Sequence, residues 1–473
     1  MSSRDANYII SGSGVSGLIS ALILCEKGLG HKTVIIEKSD TPGGILKKYN
    51  YGNFGDFDYG MHNFLETGIK ELDALIFNLL PETEWQLLEG DKRDLAGIYF
   101  NNKLQKNTPY FDLRNLEKKE FNEAITSLLI HINESIGKPS IDKNCNAEDY
   151  AIKRFGEYVA IKTIIPSVEK IHRMKASELD YMATVFTPMS RVAIVDAPLI
   201  EELTKSSVLR DFFAWSDQRT LPLARSSGRR AYYPIKYGAY RVLDAILEKI
   251  KKAGVQILTD SEITEVNTEE NNIKSIGIKT NNNKIEFTNP KEHIWTANIP
   301  LLGKLLKVDF TGLKNDKALK TIIINMLIDK PLDMDDLYYF FCYQSGFYTY
   351  RLTNYVTYSA GAIRNGLYPI CIEFLMNDEE LNSGINIEER AEQELQKFGI
   401  LKENTKVVFK KAEILESGFP MPSRNNIVSL RKIRNDIRNM KLENLKMIGI
   451  LAEDNLFFQT DVLIDLHNKL SNI

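Results

Sequence analysis

Cysteine is scarce in this chain: four occur in 473 residues, none in a CxxC pair and none at metal-ligand spacing. That excludes a disulfide scaffold and a cysteine-built zinc site, and it fits buried thiols in a reducing compartment. An excess of one charge sign is also missing. Sixty Lys and Arg stand against 63 Asp and Glu, a net charge of −3, which argues against a nucleic-acid partner. No run approaches the roughly 20 apolar residues of a membrane span. The most apolar early stretch, residues 8–25, is broken by glycine and serine and flanked by one base, Arg4. It reads as fold rather than signal peptide. A cytoplasmic protein with no transmembrane segment and no metal is expected. What is present is ordinary: 43% hydrophobic and 26% charged residues, in a chain long enough for two or three domains.

The informative part is the first 64 residues. Tyr8-Ile-Ile-Ser is a short apolar strand that breaks into Gly12-Ser-Gly14-Val15-Ser16-Gly17. Leu18, Ala21, Leu22 and Leu24 then recur at helical spacing. A second strand, Thr33-Val-Ile-Ile, ends in Glu37, twenty residues after Gly17. Strand, glycine turn, helix, strand and acid in register form a dinucleotide-binding pattern. Gly12 permits the tight turn, Gly14 lets the backbone approach a pyrophosphate, and Gly17 lets the helix pack on the strand. The helix N-terminus faces the phosphates, with Val15 and Ser16 in its first turn. Glu37 would accept hydrogen bonds from ribose hydroxyls.

After Glu37 come Lys38 and the pair Gly43-Gly44, then Phe57-Asp58-Tyr59-Gly60-Met61-His62-Asn63-Phe64. Here the chain resembles the flavoprotein superfamily of amine oxidases, protoporphyrinogen oxidase, phytoene desaturase and UDP-galactopyranose mutase. The resemblance implies FAD, bound non-covalently, with Gly43 and Gly44 near the ribityl–pyrophosphate region. It also implies that Gly60, Met61 and His62 lie near the isoalloxazine. On its own His62 would read as a core histidine; inside this motif it is a candidate catalytic residue.

The rest of the chain is read more coarsely. A helix is expected at 69–80, a hairpin at 95–104, and helices at 117–136, 147–155 and 160–171, with Pro166 kinking or ending the last. Residues 229–240 lead into a helix at 241–252 and a strand near 254–260. This resembles the family's return to the FAD domain, with Val266 placed where backbone meets adenine. A hairpin with an Asn281-Asn282-Asn283 turn follows at 267–286. The strand near 293 leaves the domain again. Strands are expected at 321–328, 337–343 and 367–374, the last at a sheet edge because of Pro369, and a helix at 386–398. A third return follows at 444–466, where a strand reaches Gly449 and a helix begins near Asp461 and Val462. Asp461 caps that helix or faces the flavin.

Two features are similar to the sugar-mutase branch. One is Phe347-Tyr-Thr-Tyr350-Arg351-Leu-Thr-Asn354, which puts Arg351 beside flavin and substrate phosphate. The other is the ending from Gly449 to Asp461. Two departures stand against them. Ile450 replaces the family's arginine and cannot supply its bidentate contact to phosphate, and Phe419 in Ser417-Gly-Phe419-Pro420 replaces phenolic substrate contacts. Arg229, Tyr233, Tyr240, Tyr350 and Glu373 are the remaining substrate-binding candidates. The basic run Arg424, Arg431, Lys432, Arg434 and Arg438 reads as one solvated helix face.

The reading is an α/β flavoenzyme. A Rossmann-like FAD domain of the glutathione-reductase type is assembled from 1–105, 222–302 and 421–473. A mixed α+β substrate domain comprises 106–221 and 303–420. The expected substrate is a small molecule, a nucleotide-linked sugar of surface-polysaccharide synthesis, with NAD(P)H as a candidate external reductant and a homodimer as a candidate assembly. The alternatives are an oxidase of the protoporphyrinogen or amine type and a flavin-binding protein without turnover.

Overall fold

The computed structural model describes the whole chain except residues 1, 5, 89–94, 138–142, 223–228, 282 and 416–417. Asn282 and Ser417, singled out above, lie outside the described residues.

Three separated stretches of chain build one parallel sheet. Its order is Gln256–Leu258, Thr33–Ile36, Tyr8–Ser11, Glu292–Trp295 and Leu445–Met447. Tyr8–Ser11 and Thr33–Ile36 are buried at every position, which is why they read as unbroken apolar runs rather than as alternation. Helices Val15–Glu26, Tyr240–Lys252 and Gln459–Leu470 cover one face. The other face, through Ile9, Val34 and Ile36, packs on an antiparallel meander of Ser261–Glu269, Asn272–Thr280 and Lys284–Thr288. The hairpin expected at 267–286 is thus the second part of a three-stranded unit whose first strand begins at Ser261. The N-terminal residues Ser2–Arg4 join its far edge in parallel.

A second, seven-stranded sheet lies elsewhere in the molecule. Its order is Val407–Leu415, Lys320–Ile328, Tyr368–Met376, Thr349–Asn354, Tyr339–Cys342, Ala96–Phe100 and Lys103–Gln105. The 96–105 hairpin therefore pairs with the sheet of the second region, alongside Tyr339–Cys342, although its residues fall in the first proposed FAD-domain segment. The edge position expected from Pro369 is also corrected. Tyr368–Met376 is central, paired on both sides. Proline is tolerated there because pairing with Thr349–Asn354 starts only at Ile370, so Pro369 interrupts no bond of that ladder.

One face of this sheet, with Ile322, Ile324, Phe340, Leu352 and Phe374, packs on Ala391, Leu395 and Phe398 at helix Ile387–Lys397. The other face carries Ile323, Glu373, Arg351 and Phe341 as one cross-strand row. That row is where the charged candidates lie.

A helical region completes the fold, with Lys118–Ser135, Ala147–Phe155 and Ile165–His172. Pro166 does not end its helix. A π-turn over Ala160–Ile164 precedes it, and the proline occupies the first turn of the continuation, where a missing N–H breaks no helical bond. Lys170 is drawn onto the sheet, its ammonium donating to the Cys342 carbonyl at 2.7 Å and to that of Thr349. The basic run at 424–438 is more than a solvated face. It forms helix Arg424–Asn439, whose Arg431 and Arg434 bind Asp454 and whose Arg438 binds Glu453. These pairs latch the C-terminal loop that carries Ile450 and Phe457.

Candidate functional site

The phosphate end is built from backbone. Gly12 adopts φ +100° as the strand turns, and a Cβ on Gly17 would lie 2.0 Å from the Gly12 carbonyl oxygen, so that contact requires glycine. Above Gly14 nothing lies within 4 Å of where a Cβ would stand. The helix Val15–Glu26 that begins here has no side-chain cap and no acid in its first turn, which leaves its first N–H groups and positive dipole end for an anion. Gly44 crosses so close that a Cβ on it would meet the Gly14 Cα at 2.9 Å, and the Gly43 amide donates to the Ser13 carbonyl at 3.0 Å. The two glycine stretches thus meet at one open turn, which fits the pyrophosphate of FAD.

Glu37 stands at the end of the second strand. Its carboxylate accepts four hydrogen bonds, from the amides and hydroxyls of Ser13 and Ser39 at 2.5–2.9 Å. Burial raises its pKa, but these donors outweigh burial and hold it below the usual carboxylate range. A ribose diol binding here would exchange for the serine hydroxyls. Lys38 points away, paired with Glu262 at 3.2 Å and 79% exposed. Val266, on the first strand of the meander, turns its side chain into the core, so only its backbone is available to an adenine. Gly449 turns at φ +125°, its Cβ position 3.5 Å from the Thr296 carbonyl. The last helix begins at Gln459, with Phe458 as a cap that makes no side-chain bond. Asp461 is therefore a first-turn acid, not the cap, and Val462 is buried.

The 57–62 stretch is anchored by Asp58. This buried carboxylate accepts from the Tyr233 hydroxyl at 2.5 Å and from the Ala239 amide at 2.9 Å. Burial pushes its pKa up to about 6 against those bonds. Tyr233 is thereby corrected as a substrate contact: it is fully buried, and its hydroxyl is held between Asp58 and the Gly238 amide. Tyr240 lies at the start of its helix, its ring 4.9 Å from the Lys48 ammonium. Arg229 sits beside Gly68. Neither the Tyr233 anchor nor the Tyr240 cation contact belongs to the row on the sheet.

Three candidates do come together. Arg351 and Glu373 are cross-strand neighbours, bonded at 2.6, 2.9 and 3.0 Å, with side chains only 12% and 2% exposed. Burial lowers the arginine's pKa, but the Glu373 charge more than restores it. The pair meets the 60–62 turn. Glu373 Oε1 lies 3.2 Å from where a Gly60 Cβ would stand and accepts weakly from the Met61 amide at 3.4 Å, while Arg351 reaches the Met61 carbonyl at 3.5 Å. A residue larger than glycine at position 60, where φ is +86°, would push the turn off the pair.

His62 is half-buried beside them. Burial, then the Arg351 charge, lowers its pKa to about 4, so the ring is neutral at pH 7. Its Nε2 lies 3.1 Å from the Tyr59 carbonyl. A carbonyl only accepts, so Nε2 carries the proton and Nδ1 keeps a lone pair. A register shift between Thr349 and Arg351 turns Tyr350 to the same face. Its ring packs 5.4 Å from Phe341, and burial pushes its phenol up to about 12. Sequence reading did not foresee Asp58 as the anchor of this turn. Its motif position was visible, but the partners lie 175 and 181 residues away.

Residues 10–75 match the NAD(P)-binding Rossmann-like domain family. No curated protein matches the chain by sequence. Solved structures match along its whole length. Reduced UDP-galactopyranose mutase aligns at 16% identity over 99% of this chain and 96% of that one, with a TM-score of 0.74. A protein from Exiguobacterium sp. 255-15 assigned as a protoporphyrinogen oxidase aligns at 14% over 100% and 99%, TM-score 0.66. Putrescine oxidase bound to putrescine aligns at 11% over 100% and 99%, TM-score 0.61. The chain shares the fold of these solved structures, and its N-terminal part matches a Rossmann-like dinucleotide-binding domain. Among the described residues no helix is long and apolar enough to cross a membrane.

Proposed function

We propose that the chain is an FAD-dependent enzyme acting on a nucleotide-linked sugar, by ring interconversion of the mutase type, with NAD(P)H as its external reductant. The observation that carries this is the Arg351–Glu373 pair held against the Met61 backbone. Because the two charges cancel, the pair is suited to the hydroxyls of a neutral sugar ring: the guanidinium donates, the carboxylate accepts. The His62 Nδ1 lone pair offers a further acceptor next to them. The full-length likeness to UDP-galactopyranose mutase supports the same substrate class. The glycine turn, Glu37 and the first turn of Gln459–Leu470 would hold FAD, which supplies a redox-active ring able to work in its reduced state. The FAD domain so used comprises three stretches, near 1–95, 222–302 and 421–473.

A panel of nucleotide sugars offered to both flavin states tests the reading. It expects conversion only after dithionite or NAD(P)H reduction, with no net oxygen use. His62→Ala is expected to keep its flavin and lose activity at least 100-fold, within the range for a lost acid–base group. A second reading, oxidation of an apolar or amine substrate, is favoured by the aromatic surroundings of Tyr350 and by exposed Ile450 and Phe419. Anaerobic bleaching of oxidised flavin by substrate, with no reaction in the reduced state, would establish that reading instead. A third, flavin binding without turnover, would leave both assays silent.

A further inference from the structure

A ladder of aromatic rings leads outward from the Arg351–Glu373 pair. Tyr350, buried, faces Phe419 at 6.1 Å; Phe419, 42% exposed, faces Phe457 at 6.2 Å; and Phe457 lies flat on Phe186 at 3.5 Å with the planes 6° apart. The rings come from four separate stretches of chain; Tyr350 is buried, Phe457 and Phe186 are half-buried, and Phe419 is the most exposed of the four. Phe457 lies two residues before the helix Gln459–Leu470, whose first turn is proposed above to hold FAD. We infer that Phe186 and Phe457 form an aromatic gate over the flavin-side site, closed by ring-on-ring contact and opened when Phe186 swings away.

The two leaves are held differently. Phe457 is the fixed post, because its loop is latched to helix Arg424–Asn439 by the Arg431–Asp454, Arg434–Asp454 and Arg438–Glu453 pairs, and Arg434 also donates to the Leu451 carbonyl at 2.8 Å. Phe186 is the movable leaf. It follows the single-turn helix Met182–Val185, and its neighbour Val185 is exposed. The contact itself is easily exchanged. Parallel rings stacked face to face bring their negative π-faces together, which is less favourable than an offset or edge-on pair. An entering substrate therefore displaces a weak ring contact rather than a bonded strap. Closed, the gate shields the Arg351–Glu373 pair from water, where a low local dielectric strengthens its interactions with substrate.

This rests on flavin lying against the 60–62 turn, and its test is separate from any substrate. FAD-loaded protein is confirmed by its absorbance near 450 nm, and quenching of flavin fluorescence by iodide and the rate of sulfite addition to the flavin are measured. Phe186→Ala is expected to raise both by about three-fold or more, Phe457→Ala to do the same, and the double variant to add little. Phe186→Trp, which keeps a stacking ring, is expected to stay at the wild-type level. Quenching and sulfite addition unchanged in flavin-loaded Phe186→Ala would overturn the gate, as would an equal rise in Phe186→Trp. Failure of every nucleotide sugar with normal gate behaviour would instead count against the proposed substrate. Protein that takes up no flavin would overturn both.

Discussion

The two ends of the proposed FAD site are made from different material. The proposed phosphate end is backbone: Gly12, Gly14 and Gly17, with Gly44 crossing so close that a Cβ on it would lie 2.9 Å from the Gly14 Cα. Gly12, Gly17 and Gly44 each admit one residue type for a steric or conformational reason, so a single chain displays them openly. The proposed flavin end is made of side chains on strands far apart in sequence. Arg351 and Glu373 meet because Thr349–Asn354 and Tyr368–Met376 happen to be in register. Backbone sites are local and legible; side-chain sites depend on sheet pairing and are not.

The largest expected effects test the backbone half of that contrast. Gly17→Ala places a methyl 2.0 Å from the Gly12 carbonyl, and no flexible side chain can yield there. It should cost about 4 kcal/mol or more of stability and lose cofactor with it, at the extreme of single substitutions. Gly14→Asp should behave oppositely. Its Cβ meets nothing within 4 Å, so the fold should keep its melting temperature within a few degrees while FAD affinity falls by at least 100-fold. Thermal unfolding beside flavin titration checks both. If the two variants behave alike, Gly14 is not a pyrophosphate position.

The side-chain half predicts coupling. Arg351→Ala leaves the 2% exposed Glu373 carboxylate without its partner, and breaking such a buried pair costs about 3–5 kcal/mol. Glu373→Ala should cost nearly as much. The double variant Arg351→Ala/Glu373→Ala should be less destabilised than the sum, by about 2 kcal/mol, because neither charge is then stranded. Urea unfolding of the four proteins measures this. Strict additivity would mean that the two groups act separately.

The same distinction explains what was legible. The βαβ unit, the helices at 147–155 and 387–397, and the strand at 320–328 follow from periodicity within a single stretch. The central place of Tyr368–Met376 does not. Pro369 argued for an edge, and only the start of pairing at Ile370 shows why a central strand tolerates it. The basic run at 424–438 looked like solvated charge because its partners, Glu453 and Asp454, belong to a loop with no periodicity of its own. Tyr233 failed as a substrate contact for a related reason. Its tyrosine and arginine neighbours suggest a ligand, but its partner Asp58 comes from the distant 57–62 turn.

Buried histidines give a smaller, graded effect. Burial lowers His62 and His172 to about 4 and His293 to about 3, against roughly 6.5 in an unfolded chain. Protons then bind the unfolded state preferentially between those values. Stability is fully present above pH 6.5 and falls on acidification towards pH 4, by about 1.4 kcal/mol per pH unit for each ring that stays neutral in the fold. Asp58, raised to about 6, works the other way over the overlapping range from roughly pH 4 to 6, so the net slope there should be shallower than three histidines alone would give. His293→Asn should flatten the acid limb of urea midpoint against pH. An unchanged limb would mean that His293 is protonated in the fold.

The smallest expected effect on stability falls at Ile450, and it bears most directly on substrate. The side chain is 50% exposed on the loop between Gly449 and the last helix. Ile450→Arg should therefore shift stability by less than about 0.5 kcal/mol, as surface changes away from caps and cores usually do. Its informative consequence is in binding. In the sugar-mutase branch an arginine stands at this point, and a guanidinium can hold a diphosphate oxygen bidentately. If the native substrate is a nucleotide sugar approaching along that loop, the added arginine should lower KM for it by about five-fold or more, with kcat little changed, because a contact made equally in ground and transition states acts on KM. It should also make that affinity more sensitive to salt. If Ile450→Arg leaves nucleotide-sugar affinity untouched while weakening turnover of an apolar or amine substrate, the isoleucine and the neighbouring phenylalanine ladder belong to an apolar substrate path, and the oxidase reading replaces the mutase one.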